Sequence, residues 1–351
     1  MKTFKHKLRI RSFAVLLLIF SITLAASGCG KDVSPAAAPS ANPSSASSAA
    51  PALDPITVKL PTIQSGGPAL VARELGMYEK YGIKIKEVGS VQSGNQIQSV
   101  IAGDIDFTLG NHADRIIEAI AQGVPVKIVL NQSQTTKEYP HMRWMVPNDS
   151  PIQSAKDLVG KKIASSYITG GCPITNLREY LTRDGVDLKQ VNLVQMADNM
   201  QAAALKQGLV DVVTVHAPLS GILRNQLGFR TLFSDFDTFK DRAGNNIATT
   251  QKIIKNDPEK VRRFVAAHLE AQNWIDDHLD EADELYARVL KLDPKDAKDF
   301  DRAYYTKDGL ETDYRVSLWI DDLVKLGTIK EGQIKPSDVY TNEFNPNDKK
   351  S

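Results

Sequence analysis

The chain has 351 residues, 42% of them hydrophobic, and its 43 Lys and Arg against 42 Asp and Glu leave a formal charge of +1. That balance argues against nucleic acid as a partner, because phosphate binding needs a basic face. A folded body of about 300 residues is large enough to bury roughly three quarters of its unfolded surface in one large or two medium domains.

Lys2, Lys5, Lys7, Arg9 and Arg11, with no acidic residue among them, precede an apolar run from Ala14 to Ala26 that stops at Ser27-Gly28-Cys29. At 13 residues the run is short of the ~20 a membrane-spanning helix needs, and its flanks fit a signal peptide over residues 1–28. The small residues before Cys29 resemble the lipobox of bacterial lipoproteins, which implies acylation of Cys29, with palmitate, and attachment to a membrane through that lipid. The place of work would be the outer face of the cell membrane, or the periplasmic side of a Gram-negative envelope. Cleavage after Ser27 without acylation would instead leave a soluble secreted protein. Loss of the five basic residues takes the charge from +1 to −4, and acylation of Cys29 leaves Cys172 without an intramolecular disulfide partner. Residues 30–53 are almost wholly Ala, Ser and Pro, so 29–53 reads as a lipidated leash of roughly 25 to 30 Å root-mean-square span.

From Ile56 a pattern of strand, turn, helix and strand repeats. Ile56 to Leu60 alternates as a strand, Gln64 to Gly67 is a polar turn, and Pro68 suits the first turn of a helix bearing Leu70, Val71 and Leu75. Ile83 to Val88 is the next strand. Ser93-Gly94-Asn95 opens a helix that Gly103 closes, and Ile105 to Leu109 reads as a strand. Asn111 can cap a helix in which Ala113, Ile116, Ile117 and Ile120 share one face, ahead of a strand from Val126 to Leu130. The alternation predicts an α/β layer structure with mainly parallel strands. A second unit follows Arg143 to Pro147: Ser154 and Asp157 make a capping box, Ile163 to Ser165 starts a strand, and Thr169 to Pro173 leads into a helix with Ile174, Leu177 and Leu181. Asn95 to Ala113 and Asn199 to Ala217 share an order of motifs in which Gly103, Asp106 and His112 match Gly208, Asp211 and His216, which suggests two lobes on one plan. The last third is helical, beginning at Asp257-Pro258, and residues beyond Thr341 are expected to fray.

Four blocks carry a resemblance to a known family: GPALVARELGMYEKYGI at 67–83, IAGDIDF at 101–107, DLVGKKIA at 157–164 and DPEKVRRF at 257–264. In this order they resemble the solute-binding lipoproteins of the nitrate, sulfonate and taurine ABC transporters, the NMT1/THI5-like family. The resemblance implies a periplasmic-binding-protein type II fold, two α/β lobes with a ligand cleft between them. On that template residues 54–142 start lobe one, 143–237 form lobe two, 238–341 return to lobe one with the C-terminal helices, and 342–351 are a polar tail, the first crossing lying near Arg143 to Val146.

The cleft would be lined by the strand-to-helix turns: Gln64, Ser65 and Gly66; Ser93, Gly94 and Asn95; Asn111 and His112; Thr169, Gly170, Gly171 and Cys172; Asn199; and His216. Helix starts offer free amides and about half a positive charge, so an anion could be held there without Lys or Arg, and no basic residue besides the histidines is obvious in these turns. Any single turn can be explained as a cap alone, and each histidine as a packing residue. Relatives often carry a Trp-Asp-Pro-like sequence where this chain has His216-Ala217-Pro218. Cys172 at a helix start would favour thiolate, and Trp144 and Tyr167 could stack on a ligand or pack in the core. The acidic run from Asp276 to Glu284 reads as solvated surface. Catalytic and metal motifs are absent from the sequence, and Lys240 occupies the glycine position of a calcium-loop-like stretch at Asp235 and Asp237.

The resemblance therefore implies a monomeric, lipid-anchored binding protein, not an enzyme, without cofactor or metal, that closes on a small anion of the sulfonate, taurine or nitrate type. It would hand that solute to an ABC permease and its ATPase. The alternatives are a pyrimidine or other aromatic solute of the thiamine-precursor kind, a THI5-like synthase, and a solute-sensing module.

Overall fold

In the computed structural model, which describes residues 53–63, 67–166, 168, 172–240 and 244–349, two α/β lobes face each other and the chain passes between them twice. The signal segment, Cys29 and the leash as far as residue 52 lie outside the described residues. Lobe 1 begins with β1 (Ile56–Leu60), α1 (Pro68–Glu74), α2 (Met77–Lys80), β2 (Ile83–Glu87), α3 (Gln96–Ala102), β3 (Asn111–His112), α4 (Ala113–Ala121) and β4 (Val126–Gln134). Lobe 2 holds β5 (Met142–Pro147), β6 (Lys162–Ser165), α5 (Cys172–Arg183), β7 (Asn192–Gln195), α6 (Asp198–Lys206), β8 (Val212–His216), α7 (Leu219–Gln226) and β9 (Phe229–Ser234). After α8 (Asp235–Phe239) the chain returns through β10 (Gly244–Thr250) to α9 (Gln251–Asn256), α10 (Pro258–Asp277), α11 (Leu279–Leu290), β11 (Tyr304–Tyr305), α12 (Asp313–Lys325) and α13 (Pro336–Val339). Among the described residues no helix is long and apolar enough to cross a membrane.

Each lobe buries its own apolar side chains. Clusters around Leu70, Phe107 and Phe264 and around Ile116, Ile128 and Trp319 belong to lobe 1, and two more around Trp144 and Met145 lie wholly within residues 142–233. Trp144 is fully buried and stacks on Phe233 at 4.2 Å, so it is a core residue and not a ligand platform.

The expectation of mainly parallel strands is corrected. β1 with β2 and β6 with its neighbours β7 and β8 are parallel, but β4, β10, β3 and β11 pair antiparallel, as do β8, β5 and β9. The cause is the double crossing: outgoing β4 and β5 lie beside returning β10 and β9, and neighbouring strands that leave and return must run in opposite directions. The outgoing crossing runs through residues 135–141, ahead of the expected Arg143 to Val146, because β5 is already part of the second sheet.

Ile105 to Leu109 is not a strand either. The segment bridges β1 and β10 with backbone and side-chain bonds together: the Asp106 amide donates to the Lys59 carbonyl at 2.8 Å while Asp106 Oδ2 accepts from the Lys59 amide at 2.9 Å, the Thr108 amide donates to the Ala248 carbonyl at 2.9 Å while Thr108 Oγ1 accepts from the Ala248 amide at 2.9 Å, and Thr249 Oγ1 donates to the Asp106 carbonyl. Lobe 2 repeats the device, with Asp211 Oδ2 accepting from the Lys162 amide at 2.8 Å. The Gln96 side-chain oxygen accepts from the Leu109 amide, as that of Gln201 does from Thr214. Gly103 and Gly208 turn the chain out of α3 and α6 at φ of 77° and 69°, where a Cβ would be strained. The weak internal similarity thus reflects one hydrogen-bonding plan used twice.

Two fastenings hold the crossings. Asp235 Oδ1 accepts from Thr135 Oγ1 at 2.9 Å and from the Met142 amide at 3.3 Å, while Thr135 Oγ1 accepts from the His141 amide, so both ends of the 135–141 segment are fixed. Asp301 pairs with Arg143 and Arg224 at 2.7 Å each and accepts from Ser220, joining lobe 2 to the stretch ahead of β11. Gly221 permits this approach, since a Cβ there would lie 2.0 Å from the Asp299 carbonyl oxygen.

The C-terminal stretch is not frayed: Phe344 is 2% exposed in the lobe 1 core, and the Asn345 side chain donates to the Asp308 carbonyl. The acidic run is not uniformly solvated, because Asp283 is buried beside Arg302 at 3.4 Å. The capping box of Ser154 and Asp157 is present, and Ser234 with Asp237 forms another, so Asp237 serves a helix start.

Burial pushes Asp235 up to about 6 from its ordinary 3.8, against the hydrogen bonds from Thr135 and Met142. Between these values the folded chain binds more protons than the unfolded one, so Asp235 makes stability fall as pH rises from about 4 to about 6. Asp235→Asn should therefore gain roughly 3 kcal/mol relative to the parent across that interval, read from urea unfolding at both ends; parallel pH profiles would contradict this. Gly221→Ala should cost about 2 kcal/mol or more in the same assay, and an unchanged midpoint would refute the close packing.

Candidate functional site

The ends of strands carry the site. Pairing of His112 with Asn245 across β3 and β10, and of His216 with Met142 across β8 and β5, sets one histidine at a strand end in each lobe. Between them lies a cavity of about 880 Å³. Lobe 1 lines it with Thr62, Gly67, Gly94, Asn95, Gln96, Asn111, His112, Arg115 and Asn245, the crossing with His141, and lobe 2 with Cys172, Asp198, Asn199, His216 and Pro218. Tyr305 of β11 closes one wall.

Helices start at this cavity from both sides. The N-caps of α4, α6 and α7 are His112, Ala197 and Pro218, and none has a side-chain cap hydrogen bond; the third amide of each first turn goes to Asp114 Oδ1, the Ala197 carbonyl and the Pro218 carbonyl respectively, which leaves the first two for another acceptor. The lobes touch at the same place, where Thr175 Oγ1 of α5 donates to Asp114 Oδ2 of α4 at 3.2 Å.

Three imidazoles form a row: His112 and His141 have ring centroids 6.1 Å apart, and His141 and His216 5.1 Å. Burial, helped by nearby His216, pushes His112 down to about 4 and holds His141 well below 6.5, so both rings are neutral at neutral pH. Burial works against the charge of Asp198, but His216, with Nδ1 at 3.6 Å, outweighs it and keeps that carboxyl below its ordinary range. Burial pushes the Cys172 thiol well up, and Asp235 and Asp114 add to this. The sequence-based expectation of a thiolate there is corrected, since a short dipole at a helix start does not offset low dielectric and two carboxylates.

Of the residues expected from sequence, Gly94, Asn95, Asn111, His112, Cys172, Asn199 and His216 are brought together on the cavity wall. Ser93 lies in the short helical turn ahead of α3, and Gln64, Ser65, Gly66, Tyr167, Thr169, Gly170 and Gly171 lie outside the described residues. Sequence reasoning missed His141, Asn245 and Arg115. Arg115 supplies a basic group at the cavity, paired with Glu118 at 3.3 Å, and overturns the expectation that the histidines stand alone. Its only sequence signal is its place in the first turn of a helix whose cap faces the cleft.

A model described as "NMT1/THI5 like" matches residues 65–282. A Bacillus subtilis protein named for aliphatic sulfonate binding is 29% identical over 238 residues, 66% of this chain and 69% of its own length. The riboflavin-binding protein RibY of Chloroflexus aurantiacus is 28% identical, covering 82% of this chain and 79% of its own length. Among solved structures, the alkanesulfonate-binding protein SsuA of Xanthomonas axonopodis pv. citri, bound to MOPS, superposes with a TM-score of 0.66 at 16% identity over 82% of this chain and 99% of that one. The desulfurization enzyme DszB, as a C27S mutant with biphenyl-2-sulfinic acid, shares the fold at a TM-score of 0.56 and 18% identity, over 82% of this chain and 97% of its own. The lobes and cleft are thus those of the periplasmic binding proteins, and with the family model spanning well over half of its length, the chain belongs to the NMT1/THI5-like family.

Proposed function

We propose that the chain is the extracytoplasmic solute-binding component of an ABC importer, a monomer that captures an organic sulfonate between its lobes and delivers it to the permease. The observation that carries this reading is the cavity of about 880 Å³ on which the uncapped starts of α4, α6 and α7 converge. Free amides and helix dipoles suit a tetrahedral oxyanion, and Arg115 adds a charge-assisted donor once it leaves Glu118. Ligand contacts to both lobes would favour the closed arrangement that the Asp114–Thr175 bond already spans. The division into 54–142, 143–237 and 238–341 as lobe 1, lobe 2 and the return is part of the same proposal.

The volume argues for a sulfonate with a substantial organic body, since nitrate or taurine would leave most of it empty. It also supports a second reading, an aromatic solute laid against the row of imidazoles. Binding without bond-breaking is favoured over catalysis because Cys172, the nucleophile available in the cleft, is held as a thiol. Export and anchoring through acylated Cys29, with the leash at 29–53, would keep the body near its permease.

Melting of the chain with a panel of alkyl- and arylsulfonates, nitrate, riboflavin and pyrimidines tests the ligand class. A true ligand at 100 times its dissociation constant adds ~2.7 kcal/mol. An arylsulfonate should raise the midpoint, Asn199→Trp should abolish the rise with the unliganded midpoint unchanged, and Arg115→Gln should weaken it roughly tenfold in affinity. A response to riboflavin or a pyrimidine alone, indifferent to Arg115→Gln, would replace the first reading with the second. Labelled palmitate should be incorporated into the parent and not into Cys29→Ser, which should leave the membrane fraction; equal labelling of both would end the anchor proposal.

A further inference from the structure

We propose that His112, His141 and Cys172 together bind one transition-metal ion of the Zn2+ type at the seam between the lobes. One ring nitrogen from each histidine and the Cys172 sulfur all lie within 4.8 Å of one another. Around a tetrahedral zinc such atoms sit about 3.3 to 3.6 Å apart, as bond lengths of about 2.0 Å to nitrogen and about 2.3 Å to sulfur require. The remaining gap is within the reach of side-chain rotation and a small further closing of the lobes. The three ligands come from the start of α4 in lobe 1, from the crossing and from the start of α5 in lobe 2, so the ion would fasten all three parts.

His112 is 5% exposed and neither of its ring nitrogens has a hydrogen-bond partner, which an ion on one nitrogen would remedy. Asp114 Oδ1 lies 3.8 Å from His112 Nδ1, longer than a hydrogen bond, and a small shift would let the carboxylate orient a metal-bound imidazole by its other nitrogen. His141 presents its ring to Asn245 Nδ2 at 3.3 Å. The carboxylates of Asp114 and Asp235 around Cys172 disfavour a bare thiolate and favour a divalent cation. On binding, the thiol proton leaves to solvent as the sulfur–metal bond forms. A solute oxygen could take the fourth position, and His216 has its ring 5.1 Å from that of His141.

This inference goes beyond solute binding and is tested with metal alone, so its failure would leave that reading untouched. The full chain with Cys29→Ser, in which Cys172 is the remaining thiol, should take up one Co2+ per chain, with the visible bands of tetrahedral cobalt and a thiolate-to-cobalt charge-transfer band that Zn2+ abolishes. Cys172→Ser should remove the charge-transfer band, and His112→Gln and His141→Gln should each weaken Zn2+ binding by more than about tenfold, the size seen even for outer-shell partners. His278→Gln, on a ring stacked against Trp274, should change nothing. Should a variant fail to fold, alkylation of Cys172 by N-ethylmaleimide in the otherwise unsubstituted chain decides: Zn2+ must protect it. No stoichiometric cobalt uptake, a charge-transfer band that survives Cys172→Ser, or no protection would overturn the site.

Discussion

Backbone amides at the edge of a sheet need acceptors, and this chain meets that demand in both lobes with the same two side chains. An aspartate three residues past a helix-ending glycine takes the amide of a preceding strand, Lys59 in lobe 1 and Lys162 in lobe 2. A glutamine near the start of the helix takes an amide in the segment that follows, Leu109 or Thr214. Orphaning the buried Thr214 amide would cost about 1 to 3 kcal/mol. The result is that the chain leaves each lobe's sheet at a fixed point, and at that point stands a histidine, His112 or His216. The facing histidines are set by an accounting of hydrogen bonds well before any ligand is involved.

The cleft's electrostatic character follows from where the chain crosses. Holding residues 135–141 between two lobes requires a polar fastening in a dry place, and Asp235 provides it at the expense of a buried carboxylate. Burial, with that charge and Asp114 of α4 in lobe 1, pushes the Cys172 thiol up, while burial keeps the adjacent imidazoles uncharged. Against these carboxylates stand Arg115 and the helix starts. Groups of both signs therefore border the cavity and its seam, with Arg115 and Asp114 standing side by side at the start of α4.

Features whose physics is local were legible from sequence. Pro68 at a helix start, the capping box at Ser154 and Asp157, the positive-φ glycines and the apolar face of α10 all rest on contacts within a few residues. The matched Gly103, Asp106, His112 and Gly208, Asp211, His216 were also visible, although their cause was not. Ile105 to Leu109 misled because its alternation is real while the Lys59 and Ala248 amides that would complete a ladder go to the Asp106 and Thr108 side chains. His141 carried no signal, sitting in a crossing with no periodicity, and its nearness to His112 and Cys172 joins residues about 30 apart in steps that match no ligand motif. Arg115 was hidden in a helix that reads as ordinary amphipathic surface. Phe344 lay in a polar stretch whose burial depends on a core completed some 80 residues earlier, around Phe264.

The two ends of the folded body meet on one helix. Arg263 of α10 donates to the Asp54 carbonyl at 2.8 Å, and the neighbouring Arg262 lies over the Phe344 ring at 5.7 Å. Chain ends held on one helix can be joined by a linker and the polypeptide opened elsewhere. The order in which the lobes are written along the gene is then separable from the order in which they stand in space: a circular permutant starting within lobe 2 would keep both crossings, both hydrogen-bond plans and the cavity they frame.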